Sequence, residues 1–109
     1  MNNLRNRVQL IGNLGADVET QTFDNGRKLA KLRLATKDVY RNKAGEKVTD
    51  TQWHNVVAWG KDAETLAVYG KKGNELAING KLRHDTYQDK DGNTRYTTEV
   101  VVQEFMLLR

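Results

Sequence analysis

Alternation of apolar and polar residues, with a period of two, runs through most of this 109-residue chain and calls for strands. Arg7 to Leu14 sets Val8, Leu10 and Leu14 on one face. From Lys28 to Lys37, Ala30, Leu32 and Leu34 alternate with Lys31, Arg33 and Lys37. Gln52 to Trp59 carries Trp53, Asn55, Val57 and Trp59 on one side, with His54, Val56 and Ala58 on the other. Leu76, Ile78 and Leu82 mark a fourth strand, and a fifth runs from near Thr94 through Glu99-Val100-Val101-Val102 towards Leu108. Asp24-Asn25-Gly26, Lys43-Ala44-Gly45 and Asp89-Lys90-Asp91-Gly92 sit between such segments. Gly, Asn and Asp accept the positive φ of tight reverse turns, so these read as hairpin tips.

One stretch breaks the period. Lys61 to Gly70 spaces Ala63, Leu66 and Ala67 as a helix does, with Asp62 and Glu64 early and Lys71-Lys72 late. Those charges complement the helix dipole, and Gly70 or Gly73 can end the helix. Five strands with one helix between the third and fourth predict an all-β fold, a small five-stranded barrel of the OB type. Residues 1–109 suffice for one such domain, and no repeat or linker divides them. No apolar run approaches the roughly 18 residues of a membrane span, and the N-terminus lacks the apolar stretch of a signal peptide.

Chemistry that transforms a substrate has no visible machinery here. The absence of cysteine excludes disulfides and thiolate sites. Gly60-Lys61, Gly70-Lys71 and Gly80-Lys81 lack both the upstream Gly and the following Ser or Thr of a phosphate-binding loop. Asp89, Asp91 and Asn93 resemble part of a calcium loop, but Gly92 comes fourth where that loop needs its Gly sixth, which favours a hairpin turn. His54 and His84 lie thirty residues apart with no metal-ligand spacing, and His54, beside Val56 and Ala58, reads as a packed or interface residue. No catalytic residue, metal or cofactor is expected.

Flat rings and cations are the more informative pattern. Trp53 and Trp59 share one parity of the third strand, while Tyr40 and Tyr87 fall beside loop tips, each near positive charge. Single-strand binders combine the two because cations neutralise phosphates and rings stack on unpaired bases whatever their identity. Periodicity alone leaves core packing and base stacking both open for the two tryptophans. Lys31, Arg33 and Lys37 form a basic stripe, yet Asp17, Glu19, Asp24 and Asp38 keep the surface mixed in sign. A net charge of +4, with pI near 9.4, permits a polyanionic partner without requiring one.

Arg7-Val8-Gln9-Leu10-Ile11-Gly12-Asn13-Leu14-Gly15-Ala16-Asp17 resembles the N-terminal signature of bacterial single-stranded DNA-binding proteins. The resemblance continues through Leu34-Ala35-Thr36, Thr51 to Val57, Trp59 to Glu64, Lys71-Lys72-Gly73, Asn79 to Arg83 and Arg95 to Val100. These blocks keep the family's order from about residue 5 to 103. The resemblance implies an OB-fold subunit that assembles into a homotetramer (a dimer being the smaller option). It also implies non-sequence-specific binding of single-stranded DNA in replication, recombination and repair, in the bacterial cytoplasm at the nucleoid. Its stacking positions are matched by Tyr40, Trp53, Trp59 and Tyr87. Its basic contacts are matched by Arg7, Arg41, Lys43, Lys61, Lys72, Arg83 and Arg95, to which the stripe adds Arg33. His54 matches a histidine at the family's subunit interface.

Departures qualify the picture. Val18 replaces a usual Pro, which predicts a looser loop after the first strand, and Ala77 replaces a larger residue in the fourth. Asp85 and Thr86 stand where basic residues are frequent, weakening the positive character of the last hairpin. The family normally continues into a flexible tail with an acidic, phenylalanine-ended tip, whereas this sequence stops at Arg109. Replication or repair proteins are therefore expected as partners only if a longer chain supplies that tail. The competing reading is a tail-less OB-fold subunit of a primosome-like complex that mainly contacts other proteins.

Overall fold

Six strands and one helix make up the computed structural model, which describes residues 3–108. A 3-10 turn at Asn3–Arg5 precedes β1 (Val8–Leu14), β2 (Glu19–Thr22), β3 (Lys28–Arg41) and β4 (Lys47–Trp59). Then come α1 (Lys61–Tyr69), β5 (Glu75–Gln88) and β6 (Thr94–Leu107). Pairing runs β1-β5-β6-β4-β3, and β3 returns to β1 at Asn13↔Ala35 and Leu14↔Leu34, which closes a ring of five strands. All its pairings are antiparallel except β4 with β6, matched at Val56↔Val100 and Val57↔Val101. The five-stranded barrel with one helix matches the sequence expectation.

The unexpected β2 is the continuation of β1. Both lie antiparallel on the same edge of β3, β1 through Leu14↔Leu34 and β2 through Glu19↔Lys31. Gly15 N–H bonds the Arg33 carbonyl at 2.9 Å between the two pairings. The register shifts by two residues across the break, so the strand jogs outward and resumes. Every residue of β2 is exposed, so it carries no apolar alternation to read. Nor is the jog loose at Val18: its N–H donates to the Gly70 carbonyl at 3.0 Å, a bond that proline lacks the hydrogen to make.

Inside the ring, Leu34, Val56, Leu76 and Ile78 are each at most 2% exposed. Ala63 and Leu66 of α1 join the same cluster, so the helix contributes its apolar side to the barrel core. Gly70 N–H bonds the Leu66 carbonyl at 2.7 Å and ends the helix where the sequence places a stop.

Two ribbons run further than the apolar pattern indicates. β3 and β4 stay paired to Arg41↔Lys47, and β5 and β6 to Gln88↔Thr94. Their tips use one device. Asn42 Oδ1 accepts the Ala44 and Glu46 N–H groups, and Asp89 Oδ1 accepts those of Asp91 and Asn93, all at 3.0 Å. Gly45 and Gly92 supply the positive φ, 78° and 79°. The radius of gyration is 16.1 Å, against about 13 Å for a compact chain of this length. Among the described residues no helix is long and apolar enough to cross a membrane.

Candidate nucleic-acid interface

The barrel's register decides where the aromatics go. Val56 and Ala58 of β4 point into the core, so the alternate residues Trp53, Asn55, Val57 and Trp59 point out. Across the sheet, Val57 aligns with Lys31 of β3 and Val101 of β6, and Val101 aligns with Lys81 of β5. The same outer face carries Arg33 beside Asn55, Arg83 beside Glu99, and Tyr87 beside Arg95. Core packing inside the ring is thereby excluded for both indoles.

Trp53 is 52% exposed. Its six-membered ring lies against Gly15, where any Cβ would collide with it, so the jog after β1 is the seat of this indole. Arg33 is 5.5 Å from the ring centroid, and its Nη1 donates to Asn55 Oδ1 at 3.3 Å. A ring held on one side beside a cation can offer its open area to a base and the cation to a phosphate.

Trp59 is half-buried. Phe23 stacks on it with centroids 5.8 Å apart and planes at 26°, and the Arg27 guanidinium lies 4.3 Å over the ring. Neither Phe23 nor Arg27 was a sequence candidate. They flank the Asp24-Asn25-Gly26 turn, and the pairing of β3 with β4, which aligns Leu29 with Trp59, brings that turn over β4. Lys61 follows at the start of α1, and it lines a cleft with Arg27, Lys28 and Trp59.

The remaining candidates divide between the ribbons and the barrel wall. Tyr40 is 53% exposed, but strict alternation along β3 puts it with Thr36 and Asp38, on the ribbon face opposite Arg33 and Trp53. Arg41 Nη1 bonds the Gly45 carbonyl at 2.8 Å, with exposed Lys43 in the turn between. Tyr87, 53% exposed, stays on the outer face. Its neighbouring cations are compensated: Arg83 meets Asp85 at 3.0 Å and Arg95 meets Asp89 at 2.9 Å. The Arg95 bond, aided by the Asn93 and Asp91 N–H groups, holds the Asp89 carboxyl below the usual carboxylate range. Tyr96, 80% exposed, faces the other side of this ribbon and was not a candidate.

Lys72 lies in the connection from α1 to β5, where its backbone N–H donates to Asp17 Oδ1 at 2.8 Å. Arg7 belongs to a polar ladder on the outside of β1, β5 and β6. Its Nε donates to Asn79 Oδ1 at 3.1 Å, and Asn79 Nδ2 donates to Glu104 Oε1 at 2.9 Å. His54 pairs with Leu34 in register, is half-buried, and meets Thr36 Oγ1 through Nε2 at 2.9 Å. Among the described residues no cluster of three or more His, Cys, Asp or Glu could hold a metal.

Residues 5–108 match the profile of the Single-strand binding protein family. The chain is 40% identical over 104 residues to Single-stranded DNA-binding protein 1 of Xylella fastidiosa, covering 94% of this chain and 76% of the relative. It is 44% identical over 102 residues to the Single-stranded DNA-binding protein of Rhizobium meliloti, covering 92% of this chain and 59% of that one. Among solved structures, the Plasmodium falciparum SSB in complex with ssDNA superposes with a TM-score of 0.85 at 24% identity, covering 95% of both chains. A deletion mutant of the single-stranded DNA binding protein from Thermus aquaticus gives 0.82 at 26% identity, covering 95% of this chain and 50% of the other.

Proposed function

The chain belongs to the single-strand binding protein family, and we propose that it holds single-stranded DNA without reading its sequence. The observation that carries this reading is Trp53, an indole half open to solvent on the outer face, seated on Gly15 and flanked by Arg33. Bases of any identity present a π-face to such a ring, and the cations beside it meet the phosphates. The site comprises Trp53, Trp59, Tyr40 and Tyr87 as stacking platforms. Arg7, Arg33, Arg41, Lys43, Lys61, Lys72, Arg83 and Arg95 supply the charge. The names of the relatives, single-stranded DNA-binding proteins at 40% and 44% identity, support the same ligand.

In the cell this binding serves unpaired strands during replication, recombination and repair, in the cytoplasm. The working form is a homotetramer, with His54 at a contact between subunits. An outward apolar row supports self-association: Ile11 aligns with Ala77 and Ala77 with Met106, and Ile11 and Met106 are 54% and 63% exposed. Four copies at +4 would carry +16, enough to draw in a polyanion.

Titration with poly(dT) at two salt concentrations, followed by tryptophan fluorescence, tests the reading. Quenching is expected, with log affinity falling by about 0.7 per log salt for each phosphate neutralised. An unquenched signal with no binding at low salt would overturn it. Sedimentation checks assembly, and a stable monomer at micromolar concentration counts against the tetramer.

A further inference from the structure

We infer that the turn between β2 and β3 forms a nucleotide subsite with Trp59, in which Arg27 covers the indole until a base displaces it. The released guanidinium then meets the adjoining phosphate. This inference rests on the single-stranded DNA reading and extends it to two residues, Phe23 and Arg27, outside the expected set.

The turn is fixed in place. Phe23 N–H bonds the Arg27 carbonyl at 2.8 Å, Gly26 N–H bonds the Phe23 carbonyl at 2.9 Å, and Asn25 Oδ1 accepts the Arg27 N–H at 3.0 Å. Gly60 N–H, directly after Trp59, bonds the Lys28 carbonyl at 3.0 Å. Backbone hydrogen bonds thus tie the turn's exit to the indole it overhangs. Phe23 supports the ring by stacking, a contact made by a short, stiff side chain.

Arg27 differs in kind. Its residue is exposed, and its guanidinium reaches the indole on a flexible stem. A base stacked on an indole outweighs an exposed cation–π contact, so exchange at this ring is downhill. The displaced cation stays within reach of the ligand's backbone, because its own backbone is locked in the turn. Beside the ring opens a cleft of about 460 Å³ whose charged lining is Arg27, Lys28, Lys61 and Glu64. Three cations face one carboxylate, and that carboxylate is shared with Lys28 at 3.2 Å. The excess charge fits an anionic ligand, and the ring face that Arg27 covers fits a nucleobase. A nucleotide of single-stranded DNA combines both.

The test uses the two-tryptophan composition. In W53F the emission comes from Trp59 alone. W53F, W53F/R27Q and W53F/R27K are titrated with oligo(dT) across a salt series, with acrylamide quenching of the free proteins alongside. The expected result for W53F/R27Q has three parts: a Trp59 more open to acrylamide, binding weakened three- to tenfold at low salt, and a log–log slope flatter by about 0.7. W53F/R27K is expected to recover the slope, since it restores the charge. An unchanged slope in W53F/R27Q overturns the inference, leaving Arg27 as a fixed brace on the indole. So does an unquenched Trp59 in a W53F protein that still binds. Failure of the wild-type chain to bind oligo(dT) removes the function itself, and the subsite with it.

Discussion

Replacing Trp53 by Ala separates stacking from charge, because it removes a ring and no cation. The free indole is 52% exposed and rests on Gly15. A tryptophan can bury roughly 200 Å², so about 100 Å² remains for a base to cover. At about 25 cal/mol per Å² that area corresponds to ~2.5 kcal/mol, within the about 1–3 kcal/mol measured per stacked base. The expected loss of affinity is therefore roughly 70-fold. Arg33 keeps its bond to Asn55 at 3.3 Å, so the phosphate contacts persist and the salt slope should not change. Thermal melting first establishes a temperature at which both proteins are folded, since truncation also removes the contact with Gly15. Anisotropy of labelled oligo(dT) at several salt concentrations then reads intercept and slope separately. A folded W53A that binds within twofold of wild type refutes stacking at this ring. A large loss accompanied by a flatter slope refutes the separation of ring from charge.

Gly15→Val is expected to weaken oligo(dT) binding about as much as loss of the ring, since the new side chain occupies the seat of Trp53; a red-shifted Trp53 emission in a W59F background checks the displacement. Asp89→Asn frees Arg95 from its 2.9 Å ion pair, so binding should tighten severalfold and the salt slope steepen by about 0.7. The lowered Asp89 pKa also sets a pH window. Its stabilisation of the hairpin tip is complete above the ordinary value of 3.8 and is lost as pH falls from there through the lowered one. Amide exchange at Asp91 and Asn93, with the intrinsic rates subtracted, follows that loss. Leu66→Ala empties a fully buried position where α1 meets the barrel core and is expected to cost about 2–5 kcal/mol in urea unfolding, with oligo(dT) affinity of the folded fraction unchanged.

The barrel was legible because its inner residues obey a period that only a strand produces. Ala30, Leu32, Leu34, Val56 and Ala58 are all buried, as their alternation requires. The helix was legible for the complementary reason, a change of period with Gly70 after it. β6 was legible from its start near Thr94. β2 and the outer halves of β3, β4 and β5 were not, because both of their faces meet solvent and no buried apolar row marks one side. The ribbons' pairing is carried by their local turns, which the sequence does mark, whereas that of β2 comes from its neighbour β3, which is a tertiary cause. The tryptophans show the same boundary between local and tertiary information. Parity alone makes Trp53 and Trp59 equivalent, yet one sits on a glycine half open to solvent, while the other lies under Phe23 and Arg27. That difference is set by which neighbouring segment lies against each ring, the jog between β1 and β2 or the turn between β2 and β3, and no spacing within β4 encodes it.

The same reasoning orders the cations on the proposed site. Arg33 and Arg7 are held by neutral amides and Arg41 by a carbonyl, so a phosphate adds a new charge pair at each. Arg83 and Arg95 already hold carboxylates on their own hairpin, so there a phosphate exchanges one anion for another. An exposed ion pair such as Arg83–Asp85 is worth about 0–1 kcal/mol, so the exchange there is cheap, but at either cation it adds little attraction and releases fewer counterions. A mildly basic chain can thus bring many cations to a DNA strand while drawing its net electrostatic gain from only some of them. The Tyr87 hairpin must then rely more on its ring, and the Trp53 face can use ring and charge together.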